Sequence, residues 1–349
     1  MYKLTEKLVD LTPYDPIQGD YKIRLDANES FIETSDDVTA KALKGVSLNR
    51  YPDPYAKRLI KAYSDFYGID PDSVTAGNGS DELISIITAC FLKKNERVLT
   101  LAPDFSMYFF YSNLYELNVR VMKKEKDLTV NVDKVIETVK NENIRAVIFS
   151  NPCNPTSLGL DKDDVIKLIT SVDALVILDE AYMDFWKGLK EQSLIKDTEK
   201  YDNLIVLRTC SKALGMAGIR LGFAVSNSVI TEKLRAAKSP YNVNVLTQNI
   251  AEYLISDIEK MNSRIEACRT ALGELDKGLC ERNFKFFETI YPSVTNFLFI
   301  KTSRAKEIFE FLLSKSIAVR LMGNYLRITA GSSEENMELL KALSSFPSN

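Results

Sequence analysis

The sequence predicts an α/β fold in which a mainly parallel sheet is followed by a smaller α+β region. Short apolar, β-branched runs alternate with segments of helical periodicity up to about residue 250, as crossover helices between parallel strands require. Beyond that point the chain reads as one long amphipathic helix and then short strands interleaved with helices. Its 349 residues, 45% of them hydrophobic, suit one large domain and one smaller one. The expected division is an arm over 1–30, a large domain over 31–250 and a small domain over 251–349.

The arm joins a short amphipathic piece, a turn at Leu11-Thr-Pro-Tyr14 and the polar stretch Leu25-Asp-Ala-Asn-Glu-Ser30. In Leu48-Asn-Arg-Tyr-Pro-Asp-Pro54 two prolines break any helix and hold Tyr51 extended and exposed. Thr75-Ala-Gly-Asn-Gly-Ser-Asp-Glu82 precedes a helical run from Leu83 to Phe91, which makes Ser80 the expected N-cap. Gly77 and Gly79 let backbone approach a ligand, and the N–H groups of a helix start suit a phosphate; a plain capped helix would carry the same residues.

Val98 to Pro103 reads as a strand, with Phe105 just past its end, placed to cover a flat ring, while Phe109 and Phe110 are expected to face the core. The strand Ile144 to Ser150 runs into Asn151-Pro-Cys-Asn-Pro-Thr156, where an asparagine either offers its amide to a ligand or stabilises its own turn. Ala174 to Leu178 is an apolar strand ending in Asp179, with Tyr182 three places on. A carboxylate there is costly to desolvate without a cationic partner, and a helix-capping aspartate is the competing reading.

Asn203 to Arg208 is the next buried strand, so Ser211 and Lys212 lie in the loop at its carboxyl end, where open α/β sheets collect their chemistry. Arg220 to Ser226 reads as a further strand. Then come a helix from Thr247 to about Lys277, a strand over Thr295–Lys301, a helix over Ala305–Ser314, strands over Ile317–Leu321 and Tyr325–Thr329, and a terminal helix.

The chain contains no histidine, which excludes Ser-His-Asp and Cys-His chemistry, HExxH metal sites and any imidazole base. Protons must move on lysine, tyrosine or carboxylates, or through a cofactor. A net charge of −3 gives no polybasic footprint, so the expected ligand is small, with neither nucleic acid nor membrane as partner. Five scattered cysteines without a CxxC pair argue for a reducing compartment and against zinc or any other metal site, and all five read as core thiols. The charged start lacks an apolar h-region and no segment reaches membrane-span length, so a cytoplasmic protein is expected.

In order and spacing, the glycine-rich loop before Ser80, Asn154 between prolines, Asp179 with Tyr182, and Ser211-Lys212 followed by Arg220 resemble the fold-type I pyridoxal-phosphate enzymes of the aspartate aminotransferase superfamily. That resemblance implies a large domain with a mainly parallel seven-stranded sheet and a smaller α+β C-terminal domain. Within the superfamily, LTPY (11–14), LDANES (25–30), LNRYPDP (48–54), SPYNVN (239–244) and YLRITAG (325–331) resemble the histidinol-phosphate aminotransferases. These pass an amino group between L-glutamate and imidazole acetol phosphate in histidine synthesis, and they are homodimers.

The resemblance implies pyridoxal 5'-phosphate as cofactor, with Lys212 its covalent anchor and later the base that moves the proton. It implies Asp179 opposite the pyridinium nitrogen, Tyr182 and Asn154 on the phenolate oxygen, and Phe105 on the ring. It assigns the cofactor phosphate to the N–H groups of Ser80 and Asp81, the Ser211 hydroxyl, the Arg220 guanidinium and Tyr51 from the partner subunit. It makes Arg327 the clamp for an α-carboxylate of either amino acid, matches Tyr14 and Arg320 to contacts of the substrate phosphate, and places Asn28 and Glu29 in the arm that closes over the site. The chain departs from the family pattern at Cys153 and Ser157, where asparagine and glycine are usual, and in a short connection from Arg320 to Arg327. A phosphothreonine decarboxylase of cobalamin synthesis, an aromatic aminotransferase and a non-catalytic regulator that binds the cofactor are the alternatives; the last lacks a basic DNA-binding segment here.

Overall fold

The computed structural model describes residues 2–9, 11, 17–188 and 191–347. Its strands are β1 (Ile23–Arg24), β2 (Val74–Gly77), β3 (Arg97–Ala102), β4 (Asn118–Lys123), β5 (Ile144–Ser150), β6 (Leu175–Asp179), β7 (Leu204–Thr209), β8 (Gly222–Ser226), β9 (Thr289–Ile290), β10 (Phe297–Lys301), β11 (Ile317–Ala318), β12 (Arg320–Met322) and β13 (Tyr325–Thr329). Seven of them form one sheet in the order β2-β8-β7-β6-β5-β3-β4. The ladders from β4 to β7 are parallel, and β8 runs antiparallel to both β7 and β2.

The apolar runs are continuous because both faces of this sheet are covered. Leu99, Val147, Val176 and Leu204 pack on one face with Val135, Ile136, Leu168 and Ile169 of two crossover helices. Their strand neighbours Val98, Ile148, Ile177 and Ile205 point to the other face, against Leu83, Ile84 and Ile87. Truncating the leucines and isoleucines among these buried side chains to alanine is expected to cost about 2–5 kcal/mol.

The smaller sheet, β12-β13-β10-β9, is antiparallel, and β1 pairs in parallel with β11 in a separate two-stranded ladder. That ladder ties the amino-terminal segment to the carboxy-terminal part of the chain, Ile23 standing opposite Ile317.

Several elements differ from expectation. The long helix is two, Val245–Ile255 and Ile258–Arg282, because the Asp257 carboxylate accepts the Lys260 N–H at 3.1 Å and starts a new helix. The strand expected over 317–321 is split between two sheets as β11 and β12. The strand expected from Arg220 begins at Gly222, and Arg220 itself is left-handed, φ 52°. Phe109 is exposed rather than turned to the core, because the helical spacing gives the inward position to Tyr108. Cys90 and Cys280 are exposed, so only Cys153, Cys210 and Cys268 are core thiols. Among the described residues no helix is long and apolar enough to cross a membrane.

Candidate active site

The parallel strands β5 and β6 end level with one another and β7 runs two residues further, and the site is built on their carboxyl ends. Ser150 of β5 pairs with Asp179 of β6, and Asp179 with Leu207 of β7, so the loops carrying Asn154, Tyr182 and Lys212 leave the sheet side by side.

Asp179 is buried, and no lysine or arginine among the described residues forms an ion pair with it. The Tyr108 hydroxyl donates to its Oδ2 at 2.7 Å and the Ala181 N–H to its Oδ1 at 3.0 Å. Burial pushes the carboxyl up to about 7, while these two donors pull the other way. A buried carboxylate with spare acceptor capacity and no protein cation could hold a protonated ring nitrogen.

Lys212 donates from Nζ to the Ala27 carbonyl at 2.9 Å and lies 5.9 Å from the centre of the Tyr182 ring. The Tyr182 hydroxyl accepts a 2.9 Å bond from Asn28 Nδ2. Asn28 is buried and left-handed, φ 55°, a conformation asparagine tolerates better than most residues. Its Oδ1 accepts from the Thr329 hydroxyl at 3.0 Å, and its carbonyl from Asn296 Nδ2 at 3.2 Å. The arm, the β6 loop and the small sheet therefore meet at one side chain.

Beside this group lies an anion corner. The Ser80–Cys90 helix has Gly79, not Ser80, at its N-cap; Gly79 has φ 83°, and Ser80 is the first helical residue. No side chain caps it, so its leading N–H groups point outward unclaimed by the helix ladder. A Cβ on Gly222 would lie 2.4 Å from the Ser80 nitrogen and one on Gly79 2.9 Å from Arg220 Nη2. Only glycine lets the start of β8 and a guanidinium press this closely on the helix start. Arg220 Nη1 donates to Ser211 Oγ at 3.3 Å, and its Nη2 stands 3.6 Å from the Asp81 carboxylate. Asp81 Oδ1 is buried without a hydrogen bond, and burial outweighs Arg220 in holding its carboxyl above the ordinary range. Helix dipole, guanidinium and two hydroxyls, Ser211 and Thr209, converge as a phosphate requires.

On the opposite side, Arg327 donates from Nη1 to Asn154 Oδ1 at 2.7 Å and from Nη2 to the Asp26 carbonyl at 2.6 Å. Asn154 is held from behind, its N–H donating to Ser150 Oγ at 3.1 Å. Arg320 and Arg327 are register partners across β12 and β13, so both side chains leave the same face of the small sheet. β13 is an inner strand of that sheet.

Phe105 is half-buried and meets Tyr108 edge-on, with ring centroids 5.5 Å apart. Glu29 is exposed, and Tyr14 lies outside the described residues. Tyr51 is 81% exposed and stacks on Tyr241 of its own chain at 4.6 Å, outside the hydrogen-bond network that joins the other residues.

Two features escaped the sequence reading. Tyr108 is one; it lies in the first turn of the helix that follows Phe105, within the aromatic run after β3. The other is Arg208, buried near the end of β7, which pairs with Glu180 at 3.0 Å and Asp184 at 2.8 Å and donates to Ser193 Oγ at 2.8 Å. An arginine ending an apolar strand needs buried acids, and Glu180 and Asp184 follow Asp179 closely enough to have supplied them. Among the described residues no three His, Cys, Asp or Glu side chains are grouped to hold a metal ion.

Residues 20–343 match the family model described as aminotransferase class I and II. The chain belongs to the class I and II aminotransferases. The histidinol-phosphate aminotransferase of Clostridium novyi (strain NT) is 41% identical to this aminotransferase, over 96% of this chain and 94% of that one. The enzyme of the same name from Pyrococcus furiosus is 33% identical, over 98% and 97%. Among solved structures, histidinol-phosphate aminotransferase from Sinorhizobium meliloti in complex with pyridoxal-5'-phosphate superposes with a TM-score of 0.88, covering 99% of both chains at 20% identity. L-threonine-O-3-phosphate decarboxylase from Porphyromonas gingivalis has the same fold, with a TM-score of 0.79 at 21% identity, over 93% of this chain and 99% of that one. Pyridoxal 5'-phosphate is the cofactor of this aminotransferase, and the uncompensated Asp179 and the glycine-lined anion corner fit its two ends.

Proposed function

We propose that this aminotransferase moves the amino group of L-histidinol phosphate to 2-oxoglutarate, giving imidazole acetol phosphate and L-glutamate. The observation that carries the substrate is the in-register pair Arg320 and Arg327. Two guanidiniums leaving the same sheet face suit a ligand that brings two negative charges to that face. L-Histidinol phosphate has no α-carboxylate; a phosphate ester stands in that place. Arg327 therefore meets a carboxylate in the glutamate half-reaction and a phosphate in the other. A bidentate guanidinium serves both shapes. The names of the relatives, over nearly full length, support the same substrate.

The cofactor, when bound, supplies an electron sink for the carbanion at substrate Cα and carries the amino group between substrates. Lys212 anchors it at rest and, once released, takes the proton from Cα and returns it one atom away. The Ala27 carbonyl keeps Nζ oriented meanwhile. Asp179 holds the ring nitrogen protonated, with Tyr108 fixing the carboxylate. Tyr182, tied to Asn28, and Asn154, tied to Arg327, reach the ring oxygen, and Phe105 covers the ring. Ser80 and Asp81 N–H groups, Ser211 and Arg220 grip the phosphate. In this reading the arm of residues 1–30 and the 251–349 domain close on the 31–250 domain, and Tyr14 reaches the substrate phosphate. The protein works in the cytoplasm as a homodimer with Tyr51 crossing to the partner's phosphate site. The exposed apolar side chains Leu48, Tyr51, Tyr55 and Tyr253 support such a contact.

A single-turnover spectrum tests the proposal. Enzyme loaded with pyridoxal phosphate should pass to the pyridoxamine form on addition of histidinol phosphate and return with 2-oxoglutarate. Carbon dioxide released from phosphothreonine, without amino transfer from histidinol phosphate, would select the decarboxylase instead.

A further inference from the structure

Lys124 lies one residue past β4, its side chain only 2% exposed, in a pocket shared with Asp104 and Cys153. An ammonium has three donors and is costly to bury. Here its one hydrogen bond among the described residues goes to Cys153 Sγ at 2.8 Å, and its ion-pair partner, the Asp104 carboxylate, stands 3.9 Å away. The nitrogen–sulfur distance is that of an ordinary N–H···O bond, although sulfur is the larger atom. The thiol hydrogen is turned away, toward the Pro103 carbonyl at 3.6 Å, so a sulfur lone pair faces the nitrogen. One bridging oxygen spans such a separation, whereas a direct N–S bond requires the two side chains to close by more than an ångström.

We propose that Lys124 and Cys153 form an oxidation-sensitive modification site, closing to an Nζ–O–Sγ bridge in the presence of hydrogen peroxide. The thiol is first oxidised by one peroxide, two electrons passing to it, to give the sulfenic acid and water. The Lys124 ammonium gives up its proton as the bond to oxygen forms, Asp104 being the carboxylate beside it that can receive it. The amine and the sulfenic acid react with a second peroxide: the N–O bond forms, one amine hydrogen and the sulfenic hydrogen leave, and two further waters are released. In total thiol, amine and two peroxides give the bridge and three waters, four electrons passing from the pair to peroxide.

The site is wired to the amino-transfer machinery without belonging to it. Asp104 accepts bonds from the Ser150 hydroxyl and N–H, and Ser150 Oγ in turn receives the Asn154 N–H. Bridge formation removes the lysine charge facing Asp104 and fixes Cys153, the immediate neighbour of Asn154. Linked enzyme should therefore turn over more slowly, whichever amino acid is its substrate.

The test is mass mapping of reduced holoenzyme titrated with hydrogen peroxide. Peptides holding Lys124 and Cys153 should appear joined, with one oxygen gained and two hydrogens lost, and a thiol reductant should separate them. Cys153→Ser and Lys124→Arg should each abolish the joined species, and Cys153→Ser should keep its unoxidised rate. Oxygen added to Cys153 alone, joined peptides lacking the oxygen, a joined species that survives Lys124→Arg, or no change in mass would each overturn the bridge. Linked enzyme with undiminished turnover would overturn its coupling to Asn154. The mass readout stands apart from substrate identity, so failure here and failure of the histidinol phosphate assignment are separable.

Discussion

Replacing Tyr108 by phenylalanine removes one oxygen from a fully buried ring and leaves the packing shape intact. That oxygen is one of two donors to Asp179, 2.7 Å from Oδ2. A hydrogen bond to a charged, buried acceptor contributes about 1.5–3 kcal/mol, so if the interaction is expressed fully in the transition state, kcat/KM should fall roughly ten- to hundredfold. The direction of the ionisation change is also fixed. Tyr108 holds the Asp179 carboxyl down against its burial, so without it the group climbs further above about 7 and the acidic limb of the rate profile moves to higher pH. The assay is kcat/KM against pH for both proteins, with cofactor absorbance recorded at each point and thermal melts to confirm the fold. A variant with wild-type kcat/KM and an unmoved acidic limb would refute the assignment of Tyr108, and with it the idea that Asp179 acts as an ionised partner.

Lys212→Ala should retain the fold and bind cofactor reversibly while losing turnover by several orders of magnitude; measurable steady-state transfer near the wild-type rate would remove its role. Asp179→Asn should make the cofactor-free protein less sensitive to alkali. The native carboxyl is raised from 3.8 to about 7, so its protonated form favours folding, and that contribution is lost as pH rises between those values, on the order of 4 kcal/mol. Denaturant midpoints of both apo-proteins at pH 5 and pH 8 check this, and a difference independent of pH would contradict it. Gly222→Ala places a methyl 2.4 Å from the Ser80 nitrogen, so cofactor affinity should fall at least tenfold; unchanged affinity in a titration would show that this corner does not hold the phosphate.

Five of the seven strands of the large sheet and the residues at their carboxyl ends were legible because each is a local pattern: β-branched runs set the strands, and polar residues interrupt them where the loops begin; β2 and the edge strand β4 carry no such apolar run, and their places in the sheet were not legible. Asp179 stood out since charge at the end of an apolar run is rare, and Lys212 through its place in the loop that follows a buried strand. Partnerships across the fold were not legible. Tyr108 and Asp179 are 71 positions apart, and Asn28 and Thr329 are 301 apart. Nothing in a run of residues tells which distant hydroxyl will satisfy a buried carboxylate. The N-cap was misplaced by one residue because serine has the better capping side chain, yet the backbone there needs φ 83°, which glycine adopts without strain. Likewise the break at Asp257 is a contest between two helical continuations, and a single capping bond decides it.

The reversal of β8 against β7 has a consequence for molecular size. Thr209 faces Gly222 in the ladder and the Cys210 N–H donates to the Leu221 carbonyl at 2.9 Å, so Lys212 and Arg220 are two points on one closed hairpin. In the proposed roles these two points hold neighbouring groups of the same small molecule, its reactive carbon and its phosphate. The hairpin thus works as a length gauge cut in backbone: a change of side chain alters how firmly either group is gripped, whereas inserting or deleting one residue changes which molecule fits between them.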